Sequence, residues 1–145
     1  MVSIYTEIEI NAPKDLVWQV LTNKSQWLYW NTFLFDSDPD RPLRQGEEVL
    51  LSLRRLPGEE EIEFQPLITL MQPAVCLRWF SAIPGLRNEY VFELQDIGAK
   101  RTKYIHYDRF SGVLRRLFLP FIRKDEHLGI KRMARELKYY VESIY

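Results

Sequence analysis

Polar and apolar residues alternate with a period of two over "SIYTEIEI", residues 3–10: Ile4, Thr6, Ile8 and Ile10 fall on one side, Ser3, Tyr5, Glu7 and Glu9 on the other. That period predicts a strand with one buried face, at the edge of a sheet. The pattern then changes. In "NAPKDLVWQVLTNKSQWLYWN", Asn11 can cap a helix and Pro13 can take its first position, where a missing N–H costs nothing. Leu16, Val17, Val20 and Leu21 follow at helical spacing, and "NKSQWLYW" reads as a turn and a second short helix capped by Ser25.

Period two returns at residue 32. A short strand in "TFLFDSD" precedes a loop broken by Pro39, Pro42 and Gly46. Residues 47–56 set Val49, Leu51 and Leu53 on one face. Residues 61–73 set Ile62, Phe64, Pro66, Ile68 and Leu70 on one face, with Pro66 marking a bulge or an edge because it offers no ladder donor. Residues 75–82 alternate Val75, Leu77 and Trp79 against Cys76, Arg78 and Phe80. Residues 87–97 alternate Tyr90, Phe92 and Leu94 against Glu89, Val91 and Glu93; residues 102–110 set Thr102, Tyr104, His106, Asp108 and Phe110 on one face. Short turns between these runs predict an antiparallel meander.

The last third steps by three and four: Leu114, Leu117, Phe118, Phe121, Ile122, Leu128, Met133, Leu137, Tyr140, Val141 and Ile144, with Asp125 interrupting the stripe. Pro120 places the start of a long helix near itself, and Gly129 is a weak point in its middle. The predicted order is strand, two short helices, six strands and a long helix. It describes an α+β chain with about seven antiparallel strands, read as a single domain over residues 1–145.

Composition adds limits. The chain has 145 residues, 46% hydrophobic and 28% charged, as in a globular protein with a real core. Basic and acidic residues are equal at 20 each, which does not point to nucleic acid. They are unevenly placed: residues 1–99 carry a net −7 and residues 100–145 a net +7. The single cysteine, Cys76, sits in a strand pattern and excludes an internal disulfide. Met1 leads straight into a strand pattern, and no apolar run approaches the ~20 residues that span a bilayer, so a cytoplasmic location is expected.

The segment "EIEINAPKDLVWQVLTNKSQWLYWN" resembles the opening of the START-like helix-grip superfamily, also called SRPBCC. The stretch from "EYVFELQDIGAKRTKYIHYDRFSG" through "LPFIRKDEHLGIKRMARELKYYVE" is similar to its polyketide-cyclase/dehydrase-like branch. The resemblance implies a curved antiparallel sheet wrapped around a long C-terminal helix, with a pocket between them. Such proteins bind lipids, hormones, sterols or other apolar molecules, and some catalyse cyclisation or dehydration; no catalytic set is common to them.

Trp18, Trp27 and Trp30 crowd into thirteen residues. They either fill a core or line the pocket mouth, and Trp30, at the helix-to-strand junction, is the candidate for the pocket. The expected ligand-binding residues are Trp30, Phe64, Trp79, Tyr90, Phe92, Tyr104, His106 and Phe121. Their apolar character suits a small hydrophobic or lipid-like ligand, and equally a filled interior. If the protein is an enzyme of the cyclase or dehydratase kind, His106 is the candidate base beside Asp108, two residues on along the same strand face, with Tyr90 or Tyr104 polarising a carbonyl. His127 reads as solvated. A third reading is an interaction module with a filled cavity. The sequence presents no metal-ligand set and no phosphate loop, so no cofactor is expected. The basic face of the long helix, with Arg123, Lys124, Lys131, Arg132, Arg135 and Lys138 and with Arg115 and Arg116 before it, either pairs with acidic residues or makes transient contact with an anionic membrane.

Overall fold

A computed structural model describes residues 2–145. Strand β1 (Val2–Ile10) lies antiparallel against β8 (Arg101–Ser111), from Val2 opposite Phe110 to Ile10 opposite Thr102. Strands β7 (Leu86–Gly98), β6 (Cys76–Ile83) and β5 (Leu67–Gln72) continue the sheet, whose order is β1-β8-β7-β6-β5. Thus β1 is an edge, as its half-polar pattern predicts. Ile4, Thr6 and Ile10 are buried while Ser3, Tyr5, Glu7 and Glu9 are exposed, so the register is the one its alternation requires.

Three short strands form a second sheet in the order β2-β3-β4: Leu34–Asp36, Leu51–Leu53 and Ile62–Phe64. The run 61–73, expected as one strand, is therefore two, and the total is eight rather than seven. Pro66 is the cause: lacking an N–H, it cannot extend the ladder of either neighbour. Its carbonyl accepts from the Val49 N–H at 3.1 Å, and Ile68 N–H donates to Glu47 O at 3.0 Å. These bonds join the two sheets along one edge. A register shift between Ile68 and Leu70 bends β5 further.

Helix α1 (Lys14–Thr22) begins one residue later than expected. Pro13 is the residue before it, with extended backbone at φ −69° and ψ 150°, and its carbonyl accepts from Leu16 and Val17. Asn11 gives no side-chain cap; its N–H donates to Glu142 Oε2 of the C-terminal helix at 2.8 Å. A 3₁₀ helix, Lys24–Tyr29, follows, with Ser25 inside it and bonded to the Asn23 side chain.

Helix α2 runs Arg115–Ile144 and contains Pro120 rather than starting at it. The β6–β7 turn explains the earlier start. Leu114 N–H donates to Gly85 O at 2.8 Å, which fixes the residue from which the first helical turn winds. That approach needs glycine at Gly112, where φ is +108° and a Cβ would lie 2.5 Å from Gly85 O. At the sixth residue of the helix, Pro120 lies past the first turn, so it removes the ladder bond to Arg116 O and its ring crowds that carbonyl.

The buried stripe of α2 is Leu119, Glu126, Gly129, Ile130, Met133, Ala134, Leu137 and Val141. The apolar residues expected on it at Leu117, Phe118 and Phe121 lie instead on exposed faces. The stripe facing the sheet steps 119, 126, 130, 133, 137, 141, which turns those three residues away from it.

Gly129 is a packing requirement. A Cβ there would meet the fully buried Phe33 ring at 2.6 Å and Arg55 O at 3.3 Å. Alanine gains about 1 kcal/mol of helix propensity, but Phe33 has no room to retreat, and overpacking costs about 1–3 kcal/mol. Gly129→Ala is therefore expected to lower stability in urea denaturation; a stabilised variant would show that α2 sits farther from Phe33.

Candidate functional site

Register places the interior side chains in rows across the sheet. Trp79 stands opposite Tyr90, Tyr90 opposite Asp108, and Asp108 opposite Ile4. Two residues along each strand, Leu77 stands opposite Phe92, Phe92 opposite His106, and His106 opposite Thr6. Leu94, Tyr104 and Ile8 make the next row. All of these face inward because each strand alternates from the same starting parity.

Six of the eight residues expected to bind a ligand thus come together. Trp79 and Phe92 rings are 4.9 Å apart, Trp79 and Tyr90 5.5 Å, Phe92 and His106 4.2 Å, Tyr90 and His106 5.4 Å. Phe64 approaches from the second sheet at 6.4 Å from Trp79 and 6.3 Å from Tyr90, and Tyr104 stands 6.4 Å from His106. These rings pack on one another. Trp30 does not join them: it is buried against Tyr140, 6.4 Å away. Phe121 is not interior at all, being 82% exposed on the outward side of α2, so its place in a pocket is corrected by the phase of the helix. Trp18 and Trp27 fill core; the Trp27 indole donates to Leu21 O at 2.9 Å.

Among the rings lies a buried polar group. His106 Nε2 and Asp108 Oδ1 are 2.9 Å apart, and both side chains have no exposed surface. Tyr90 OH donates to Glu126 Oε2 at 2.6 Å, and Arg55 Nε donates to Glu126 Oε1 at 2.8 Å. Glu126 is completely buried too. Neither Glu126 nor Arg55 is among the residues singled out in the sequence. Glu126 had a signal, standing seven residues from Leu119 and from Met133 and so on the inward stripe. Arg55 continues the parity of Val49, Leu51 and Leu53 in the run 47–56, although β3 ends at Leu53 and Arg55 follows it in an irregular connection.

Burial sets the protonation of this group. It pushes the Glu126 carboxyl well above the usual range, aided by the charge of Asp108, with Arg55 and Tyr90 opposing. It raises Asp108 to about 7, against the pull of Glu126 and Arg55. It lowers His106 to about 3, against the pull of Glu126. It holds Tyr90 and Tyr104 well above their ordinary value, with the charges of Glu126 on Tyr90 and Asp108 on both adding to it. Near neutral pH His106 is therefore a neutral imidazole, and a weak base. Four buried polar atoms here, Tyr104 OH, His106 Nδ1, Asp108 Oδ2 and Trp79 Nε1, make no hydrogen bond among the described residues. Among the described residues no three His, Cys, Asp or Glu side chains converge as a metal would require.

One strand repeat outward, the row Ser81, Asn88 and Phe110 opens into a cleft of about 430 Å³. Leu53, Ile62 and Phe64 form one wall, Ile83 and Leu86 of the β6–β7 hairpin another, and Ile122 of α2 a third. Arg55 lines it as well. The aromatic and polar group just described lies directly beneath, since Trp79, Tyr90 and Asp108 are the next residues inward on the same strands. A larger depression of about 610 Å³ lies elsewhere, between β1 and α2, with His127 on its rim. It is lined by exposed Ser3, Tyr5, Arg123 and Lys124, and no buried polar group reaches it.

No family model and no curated protein matches the sequence. Solved structures do match. The di-domain ARO/CYC BexL from the BE-7585A biosynthetic pathway has a TM-score of 0.74 at 15% identity, over 98% of this chain and 47% of that one. DynU16, from the dynemicin biosynthetic locus, has a TM-score of 0.69 at 17% identity, over 97% of this chain and 47% of that one. The chain spans about half the length of these two. A START superfamily protein from Mycobacterium smegmatis has a TM-score of 0.74 at 13% identity, over 99% of both chains. The fold is the START-like helix grip: a curved antiparallel sheet, a smaller three-stranded sheet and a long C-terminal helix. No helix among the described residues is long and apolar enough to cross a membrane.

The raised pKa of Asp108 has a thermodynamic consequence. The folded chain holds this proton more tightly than the unfolded chain, so its stabilising contribution is full below about pH 4 and is lost as pH rises through about 7. His106 has the opposite slope, because its folded value is depressed. Asp108→Asn removes the first, together with the part of the Glu126 shift that the Asp108 charge supplies, which has the same sign, and leaves the slope of His106. Urea denaturation from about pH 4.5 to 7.5 should show the variant gaining stability relative to the wild type as pH rises. A difference that stays flat across that window would place the Asp108 proton at its ordinary value.

Proposed function

We propose that this START-like chain binds a small hydrophobic molecule in the cleft between the β6–β7 hairpin, the second sheet and α2. The observation that carries the reading is the cleft: about 430 Å³, walled mainly by apolar side chains and floored by a buried polar group. That volume lies in the range of about 300–1,000 Å³ typical of small-molecule sites. The catalytic alternative, with His106 as base, is less well supported. His106 is covered by Phe92 and Tyr90 and held at about 3, which suits a relay inside the protein better than a base that meets substrate. A cytoplasmic location and a single domain over residues 1–145 remain part of the reading.

A neutral fluorescent probe, N-phenyl-1-naphthylamine, tests it. Saturable uptake of one probe per chain is expected, with affinity reduced about tenfold or more in Leu86→Glu, where a charge would have to be buried against the ligand. Absence of saturable uptake by the wild type, or uptake unchanged in a folded Leu86→Glu variant, would overturn the cleft as the site.

A second observation favours transient contact with an anionic membrane. Val113, Leu117 and Phe121 are 86%, 63% and 82% exposed, and Ile83 at the hairpin tip and Phe118 are exposed beside them. A patch of large apolar side chains of this kind marks a docking surface. Arg115, Arg116, Arg123 and Lys124 are interleaved with it and enter no ion pair among the described residues. Ile83, Leu86 and Ile122 of the cleft wall adjoin it, so a ligand could pass from bilayer to cleft without crossing water. Arg115, Arg116, Arg123 and Lys124 belong to the basic set expected along the helix, and Lys131 and Arg135 stand exposed farther along it. Arg132 is engaged by the carbonyls of Thr32, Arg54 and Arg55, and Lys138, counted with it on that basic face, pairs with Glu142.

Co-sedimentation with vesicles of rising phosphatidylserine content is expected to show binding that fades with salt. Each of Arg115, Arg116, Arg123 and Lys124 changed to Gln should weaken it about fivefold. Phe121→Asp should weaken it at every salt concentration. No binding at low salt would remove the membrane from the reading.

A further inference from the structure

We propose that the molecule bound in the cleft is an amphiphilic acid, whose apolar body lies against Leu53, Phe64, Leu86, Phe110 and Ile122 and whose carboxylate is held by the guanidinium of Arg55. The proposal rests on the cleft reading and deepens it. Among the described residues, Arg55 is the one cationic side chain lining the cleft. It donates to Glu126 through Nε alone, at 2.8 Å, and its two terminal amino groups donate to no protein acceptor among the described residues. An arginine fixed by Nε presents its terminal pair as a fork, and a carboxylate matches that fork with two parallel bonds.

Two further features fit an acid. The side chain of Arg55 is only 18% exposed, so a carboxylate that pairs its terminal donors does so largely away from solvent, where a charge-assisted bond is strongest. The Glu126 carboxyl bonded to it does not fully neutralise it, because burial favours the proton-bound form of Glu126. Glu63 also lines the cleft but is exposed, where solvent screens it. On the opposite wall, the side-chain oxygen of Asn88 is buried and unpartnered. It can accept from a hydroxyl carried on the ligand body, so a hydroxylated acid is the best match.

The test uses matched pairs that differ only in the end group: decanoic acid against decanol, and 2-naphthoic acid against 2-naphthalenemethanol. Each displaces the neutral probe from the full chain at about pH 7.5, where the acids are ionised. The wild type should bind each acid about tenfold or more tightly than its alcohol. Arg55→Gln should erase that preference, lowering affinity for each acid about tenfold or more beyond any change for its alcohol. Should Arg55→Gln fail to fold, the guanidinium ¹⁵N resonances of the wild type give the same answer: those of Arg55 should shift with decanoate and not with decanol. Equal affinity for acid and alcohol, or a preference that survives Arg55→Gln, overturns the acid while leaving the cleft in place. Failure of acids, alcohols and probe alike overturns the cleft itself and the acid with it.

Discussion

A carboxyl group with no exposed surface holds the halves of this protein together. Glu126 projects from the middle of α2 and takes two hydrogen bonds, one from Tyr90 on the sheet and one from Arg55 after β3. Helix, main sheet and second sheet therefore meet at one side chain. Isolated burial of a charged carboxylate would cost several kcal/mol, and the fold avoids much of this by raising the Glu126 proton affinity and supplying donors to both oxygens. The cleft depends on the same group. The Glu126 bond turns Arg55 towards the wall of the cleft, and Tyr90 underlies its floor.

That dependence explains why the interior can be both packed and polar. The rings of Trp79, Tyr90, Phe92 and His106 lie within 4.2–5.5 Å of one another in successive contacts and stiffen the concave face. Rigid walls of this kind keep a cleft open at the end of the sheet, because the surrounding chain cannot collapse into it without breaking register. The small sheet contributes the remaining wall. Its separation from the main sheet at Pro66 lets Phe64 lean over Trp79 and Tyr90 instead of continuing the ladder.

Much of this was legible in the chain because period-two patterning fixes parity. Once Trp79, Tyr90 and His106 are placed on alternating strands, their shared inward face follows, and so does the neighbourhood of His106 and Asp108. Element ends were less legible, for local reasons. The strand break at Gln65–Pro66 and the early start of α2 depend on contacts to Glu47, Val49 and Gly85, which are distant in sequence from the residues they organise. The phase of α2 failed for a related reason. Leu117, Phe118 and Phe121 are apolar at helical spacing, and periodicity read them as core, whereas the true inward stripe carries the polar Glu126. An apolar residue obliges a helix to bury it only when no other partner is available. Arg55 shares the parity of Val49, Leu51 and Leu53, but parity alone does not show that a charged residue turns inward to meet Glu126, which is distant in sequence.

The charge division along the sequence acquires a spatial meaning from these corrections. The positive balance after residue 99 is not one surface. Arg101, Lys103 and Arg109 pair across the outer sheet face with Glu9, Glu7 and Glu89. Arg132 and Lys138 bond to backbone carbonyls, of Thr32, Arg54 and Arg55 in one case and of Glu9 in the other, and thereby tie α2 to the rest of the fold. Of the rest, Arg115, Arg116, Arg123 and Lys124 lie in the half of α2 that also exposes Leu117 and Phe121, while Lys131 and Arg135 stand exposed farther along the helix. The four in the first half thus lie among exposed apolar side chains on the same part of the helix as Ile122 of the cleft wall. A ligand with an acidic end and an apolar body would meet the same two chemistries in sequence, first on the surface and then at Arg55.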